Sequence, residues 1–397
     1  MTNFNAEIKT DVHKRLYGLD HLRALAILLV FLFHYQILSA GQLEWMHSLA
    51  KFGWTGVDLF FVLSGFLISS QLFAQIRNGE KISFKEFFLK RVFRILPAFW
   101  VVAGIYFCVP FFREKEALPP LWKFLTFTQN FGLNLDKSGT FSHAWSLCVE
   151  EHFYFFLPIM LIGLQVSKLF KHSYLLLIAL FLFGFVIRIY SFNNLYLSKI
   201  ADDNSWIYWY KYIYYPTYNR LDGLLMGVTV AGVYQFLPHI WNKISKYGNQ
   251  IFVCSLLVLI GTYFLCDETK SYNASIFGFP AIAIGYGLMV VGAISTDSFL
   301  YKWNSQIISF IATLSYAIYL THKGIIHMTQ LLLVNFKINN NLMFLICVMT
   351  CVFGAFLLHW VIEKPFMRLR NRVIKPKIMF ARKNNPEENS INALISI

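Results

Sequence analysis

Of the chain's 397 residues, 57% are hydrophobic and only 14% are charged, with 41 Phe, 21 Tyr and 10 Trp. Soluble domains carry about 25% charged residues, so this composition excludes a soluble globular protein and leaves an all-α polytopic membrane protein. The formal charge of +14 belongs to loops and chain ends facing the cytoplasm, where basic residues gather, and gives no reason to invoke nucleic acid.

The first apolar run, LDHLRALAILLVFLFHY over residues 19–35, holds a cation near its start and an imidazole near its end. Ser39, Ala40 and Gly41 would suit a cleaved leader, but Arg23 and His34 interrupt the run and further spans follow, so it reads as a retained helix. About ten spans are predicted, near 19–39, 55–75, 95–113, 145–166, 173–191, 216–236, 250–266, 278–294, 306–327 and 341–362. An even number places both termini on one side. Lys and Arg are roughly twice as frequent in the segments sharing the amino terminus's side, which puts both termini in the cytoplasm. The expected organisation is a cytoplasmic segment over 1–15, a membrane domain over 16–370, and a basic, polar, disordered cytoplasmic tail over 371–397.

Two outer loops stand out. Residues 114–144 form a long polar connection ending in Ser142 and His143, of a length that can cover or select a substrate. Residues 192–215, rich in Trp and Tyr, read as an interfacial belt. The six cysteines, Cys108, Cys148, Cys254, Cys266, Cys347 and Cys351, form no CxxC pair and no zinc spacing, so neither a metal site nor a disulfide framework is expected.

Ionisable groups are expensive inside a bilayer and mark functional sites by default. His34, Asp58, Glu150, the Arg220–Asp222 pair, and Ser315, Tyr316, Tyr319 and His322 fall at one depth near the outer ends of five different spans. Arg23, Arg91 and Arg94 fall at the inner face. Each has a plain alternative: a packing histidine, a structural Arg–Asp pair, an orientation signal. Convergence of five helices on one layer favours function. An imidazole beside a carboxylate is a general-base arrangement, and Arg91-x-x-Arg94 presents two guanidiniums on one helical face, suited to the phosphates of a nucleotide-like donor. Eleven steps along the chain take Arg23 to His34, about 16 Å of helix and about half the hydrocarbon thickness.

The chain resembles the acyltransferase family 3 membrane proteins, which O-acetylate bacterial surface glycans and some small lipids and antibiotics. The matching elements are LDHLRALAILLVFLFHY, GVDLFFVLSGFLI, KRVFRILP, WSLCVEEHFYFFLP, RLDGLLMG, SYAIYLTH and VIEKPFMRL, in the family's order across roughly residues 16–370. The resemblance implies that Arg23 and His34 are the essential pair of acyl transfer and that Arg91 and Arg94 lie near the phosphates of acyl-CoA. It implies that Glu150, from the WSL-x-x-E motif, partners the histidine. Ser64, Ser146, Tyr154, Arg220, Asp222, Ser315, Tyr319 and His322 match positions with supporting or acceptor-side roles, as Asp58 does by depth. His21 departs from the pattern, which has a small residue there. Members fused to an esterase-like extracytoplasmic domain are longer, so this chain is expected to act alone or with a separate partner.

The expected function is transmembrane O-acetyl transfer in the bacterial inner membrane. The donor is cytoplasmic acetyl-CoA, used as a co-substrate; the acceptor is a hydroxyl of a surface or lipid-linked glycan such as lipopolysaccharide O-antigen. His34, oriented by Glu150, would deprotonate the hydroxyl; a transient acetyl-histidine is a variant, and Arg220 or a hydroxyl on the ninth span would hold the oxyanion. No metal and no permanently bound cofactor is expected; membrane lipids are the other partners. One alternative is a proton-coupled transporter or flippase of a glycan or lipid intermediate, which predicts inverted repeats that the sequence does not show. A glycan polymerase ranks below it, because the long outer loop lacks a basic cluster.

Overall fold

The computed structural model describes residues 16–39 and 43–381, with side chains to residue 374. The predicted segment 1–15 and the end of the predicted tail, 382–397, lie outside the described residues. All regular structure among the described residues is helical, with no strand. Ten helices match the ten predicted spans in order: α1 Tyr17–Leu38, α2 Gly56–Arg77, α3 Phe84–Cys108, α4 Trp145–Val166, α5 Ser173–Tyr190, α6 Asp222–Phe236, α7 Gly248–Leu265, α8 Phe279–Ile294, α9 Gln306–Leu332 and α10 Asn340–Leu358. A π-helical turn, His359–Glu363, joins α10 to α11, Lys364–Ala381.

Eight helical segments among the described residues are long and apolar enough to cross a membrane. The other two helices are α6, only 15 residues long, and α9, whose middle carries Thr321, His322 and Lys323. Both pack inside the same bundle. On α5 the side chains of Leu175, Ile178, Leu182, Phe183 and Val186 are all at least half exposed. A row of large apolar groups left uncovered along a whole helix is the signature of a lipid-facing surface. The protein is an integral membrane protein.

Two boundaries differ from expectation. The basic stretch before the third span is not a loop end: α3 begins at Phe84, and Ser83 Oγ accepts the Glu86 N–H at 3.4 Å. The sequence Ser83-Phe84-Lys85-Glu86 has the spacing of a capping box, and Glu86 also pairs with Lys90 at 2.8 Å. Arg91 and Arg94 are therefore the eighth and eleventh residues of a 25-residue helix. At the other end, the tail expected to be disordered from 371 is helical to Ala381.

The innermost contact is between α2 and α6. A Cβ on Gly65 would lie 2.2 Å from the Leu224 carbonyl oxygen, and one on Gly227 would lie 2.3 Å from that of Val62. These glycines, in the LSGFLI and LDGLLMG motifs, bring two backbones into direct contact, as small residues do between helices in lipid.

Candidate active site

Three imidazoles meet at one end of the bundle. His34 lies one turn before the end of α1 and His322 in the second half of α9. His143 comes from the one-turn 3-10 helix Ser142–Ala144 that leads into α4. Ring centroids are 4.8 Å apart for His34 and His322, 4.9 Å for His143 and His322, and 6.0 Å for His34 and His143. His143 and His322 are buried and His34 is partly buried.

The partners assign the tautomers. His322 Nδ1 lies 2.8 Å from the Tyr319 carbonyl and 3.1 Å from that of Ile318. Carbonyls only accept, so this nitrogen carries the proton and His322 Nε2 keeps its lone pair. His34 Nδ1 lies 3.0 Å from the Val30 carbonyl and 3.1 Å from His322 Nε2. Both neighbours are acceptors, so His34 donates from Nδ1 and its Nε2 is left basic. His143 donates from Nε2 to the Leu320 carbonyl at 3.3 Å, and its buried Nδ1 has no hydrogen-bond partner among the described residues.

A hydroxyl pair supports the triad. The Tyr319 hydroxyl donates to the His143 carbonyl, so it accepts from Ser146 Oγ, 2.6 Å away. Behind the imidazoles is a buried ion pair, Lys323 Nζ to Glu114 Oε1 at 2.7 Å, with 7% and 1% of the side chains exposed. Lys323 also donates to Ser142 Oγ at 3.1 Å, and Glu114 accepts the Phe141 N–H at 3.0 Å. Phe141 has a left-handed backbone, φ 55°, unusual for a bulky residue. Its ring is fully buried and stacked on Tyr106 at 4.3 Å. The long loop is thus fastened to α9 on either side of His143.

The other predicted residues separate into two groups. Glu150 does not pair with His34: it accepts from the Tyr154 hydroxyl at 2.8 Å, and Ser64 of α2 faces the same carboxylate. Glu150 stands one turn along α4 from Ser146. The Arg91 guanidinium lies 5.4 Å from the Tyr154 ring centroid, and its buried Nε has no hydrogen-bond partner among the described residues. Glu150, Tyr154, Ser64 and Arg91 form a second polar cluster. Tyr316 of α9 donates to the Ile95 carbonyl at 2.9 Å, fastening α9 to α3 one residue past Arg94. Arg23 is partly buried on the second turn of α1, and nearby Asp20 accepts from Ser309 at 3.1 Å. His21 packs against Trp303, centroids 4.8 Å apart.

Arg220 and Asp222 do not pair with each other. Arg220 binds Asp58 at 2.7 Å, and its guanidinium lies over Phe279, Tyr214 and Trp145 at 4.2, 4.5 and 5.1 Å. Asp222 binds the fully buried Arg188 at 2.6 Å, and Arg188 also donates to the Asn219 carbonyl at 3.1 Å. Of the expected oxyanion donors, Tyr319 donates to the His143 carbonyl and Ser315 to the Ala312 carbonyl at 2.8 Å; Arg220 spends Nη2 on Asp58, while its buried Nε and Nη1 have no hydrogen-bond partner among the described residues.

Sequence reasoning did not select His143, Glu114, Lys323 or Arg188. His143 stands two residues before the WSL motif, and Lys323 follows His322 inside an apolar helix, so both carried a signal. Glu114 and Arg188 carried none beyond their charge.

Comparison with known proteins places the chain in a family. A provisionally named O-acetyltransferase of Staphylococcus aureus strain COL is 28% identical over 372 residues, covering 88% of this chain and 57% of its own. The peptidoglycan O-acetyltransferase OatA of Listeria monocytogenes is 28% identical over 345 residues, covering 81% of this chain and 51% of its own. A provisionally named peptidoglycan O-acetyltransferase of Bacillus subtilis is 26% identical over 416 residues, covering 98% and 61% respectively. The chain thus spans a little over half the length of these relatives. No solved structure matches. A family profile described as an acyltransferase domain matches residues 16–360, a span that takes in nearly the whole membrane bundle, and the chain belongs to that acyltransferase family.

Proposed function

We propose that the protein is a transmembrane O-acetyltransferase of the bacterial cytoplasmic membrane, carrying an acetyl group from cytoplasmic acetyl-CoA to a hydroxyl of an envelope glycan on the far side. The observation that carries this reading is the basic Nε2 of His34, left free by an Nδ1 held between the Val30 carbonyl and His322. His322, not Glu150, is the orienting partner.

In the proposed reaction, His34 Nε2 takes the proton of the acceptor hydroxyl as its oxygen attacks the thioester carbonyl. The C–S bond breaks as the ester forms, and the proton passes from His34 to the departing thiolate. Arg23, Arg91 and Arg94 hold the donor's phosphates at the opposite face. Glu150, Tyr154 and Ser64 line the way between, and the arm of the donor must reach about 16 Å into the bundle. The names of two relatives favour a peptidoglycan amino sugar over lipopolysaccharide O-antigen as acceptor. Asp58, Arg220, Asp222 and Ser315 act as scaffold.

The test is transfer of labelled acetyl groups from acetyl-CoA across membrane vesicles. His34→Ala and Arg23→Ala are expected to abolish it. Normal transfer by both variants would sink the proposal.

A further inference from the structure

The acceptor-side end of α1 leads into a cleft that the reaction above does not use. Leu43, Glu44, Trp45, Asn339, Asn340 and Asn341 line it, and its volume is about 420 Å³, within the roughly 300–1,000 Å³ of small-ligand sites. Trp45 is 67% exposed yet fixed in place: its indole N–H donates to Asn341 Oδ1 at 3.1 Å, and Phe344 meets its ring edge-to-face at 5.8 Å. A large aromatic face held rigid and uncovered is a preformed stacking surface.

The polar groups around that face are amides and one carboxylate. Asn339 and Asn341 spend their oxygens on the Asn341 N–H and on Trp45, leaving their amino groups to donate. Asn340 is exposed, and the Glu44 carboxylate makes no hydrogen bond or ion pair among the described residues. Among the described residues no basic side chain lines the cleft, so an anionic ligand finds no counter-charge there and meets Glu44 as a repulsion. One aromatic face with three carboxamides is not a cage for a quaternary ammonium. Donors, acceptors and a flat apolar face together suit a neutral polyhydroxylated ring.

The cleft is continuous with the histidine site through aromatic packing. Phe344 touches Trp45 on one side and Tyr35 on the other, at 5.0 Å, and Tyr35 is the neighbour of His34. From His34 to the end of α1 is about 6 Å.

We propose that this cleft is a carbohydrate subsite that stacks one sugar of an oligomeric acceptor on Trp45, while a neighbouring sugar presents its hydroxyl to His34. The proposal rests on the glycan-acetyltransferase reading and makes the acceptor a polymer instead of a free monosaccharide.

The experiment is calorimetric titration of the detergent-solubilised full chain with neutral oligomers of N-acetylglucosamine and of glucose, one to four units long, and with choline chloride. Affinity for at least one sugar series is expected to rise with length. Trp45→Ala should weaken it about tenfold or more, Trp45→Tyr should largely restore it, and Trp360→Ala, an exposed tryptophan elsewhere, should leave it unchanged. Unfolding midpoints of all variants are measured alongside, and a loss of binding counts only where the midpoint is kept; Trp45→Tyr carries the test if Trp45→Ala unfolds. Absence of saturable sugar binding, equal binding by Trp45→Ala, or binding of choline alone overturns the subsite. Trp45-dependent binding without any His34-dependent acetyl transfer supports the cleft and removes the transferase reading. Transfer that survives Trp45→Ala with unchanged oligomer affinity does the reverse.

Discussion

Removing one member of the Glu114–Lys323 pair should damage the protein more than removing both. The charges sit 2.7 Å apart and almost wholly buried, which at an effective dielectric of about 20 gives an attraction of about 6 kcal/mol. Much of that offsets desolvation, so the pair's net worth is far smaller. Lys323→Met, however, leaves the Glu114 carboxylate buried with only neutral donors beside it, the Phe141 N–H and the Tyr106 hydroxyl, at an expected cost of about 3–5 kcal/mol. Glu114→Gln alone strands the ammonium beside Ser142 at similar cost. The double variant, with neither charge, should recover at least about 2 kcal/mol of the summed single losses. The assay is thermal unfolding in detergent followed by a thiol-reactive dye, since Cys148, Cys266, Cys347 and Cys351 are buried and become reactive only on unfolding. Single and double variants that lose stability additively would refute the argument that uncompensated charge dominates.

His322→Ala should lower the rate of acetyl transfer about 10- to 100-fold while leaving the apparent affinity for acetyl-CoA unchanged, because it removes the group orienting His34 and nothing at the arginine end; a change confined to KM would contradict this. Gly227→Val should abolish folded protein in membranes, since its Cβ would sit 2.3 Å from a backbone oxygen of α2, whereas Gly104→Val, with open space around it, should express normally. Arg188→Met should cost about 3–5 kcal/mol by stranding Asp222, and Arg188→Met with Asp222→Asn should regain part of it in the same unfolding assay. Arg91→Ala should raise KM for acetyl-CoA at least tenfold in vesicle transfer and leave the sugar-binding titration unaltered.

Hydropathy made the ten helices legible because it reports position along the membrane normal. It does not report rotation about each helix axis or which helices are neighbours. His34 and His322, and Asp58 and Arg220, were each placed at the same depth, and each pair is in contact. Glu150 shared nearly that depth but stands one turn along α4 from Ser146, facing Tyr154 and Arg91, so its assignment to His34 was mistaken. The start of α3 was written in Ser83 and Glu86, and the run of apolar residues further on drew the boundary too late. His143 escaped selection because it precedes its helix: a residue delivered by a turn has no periodicity to betray which way it faces.

The backbone contact between α2 and α6 has a consequence for how a cargo could cross. Gly65 and Gly227 seat the two helices with no side chains between them to act as bearings, and the Asp58–Arg220 bridge pins the same pair. Alternating access requires one half of a bundle to rock over the other. In the proposed reaction, a bundle riveted through its centre would act as a bulkhead: the sugar and the nucleotide would stay on their own sides, and only a two-carbon fragment would travel.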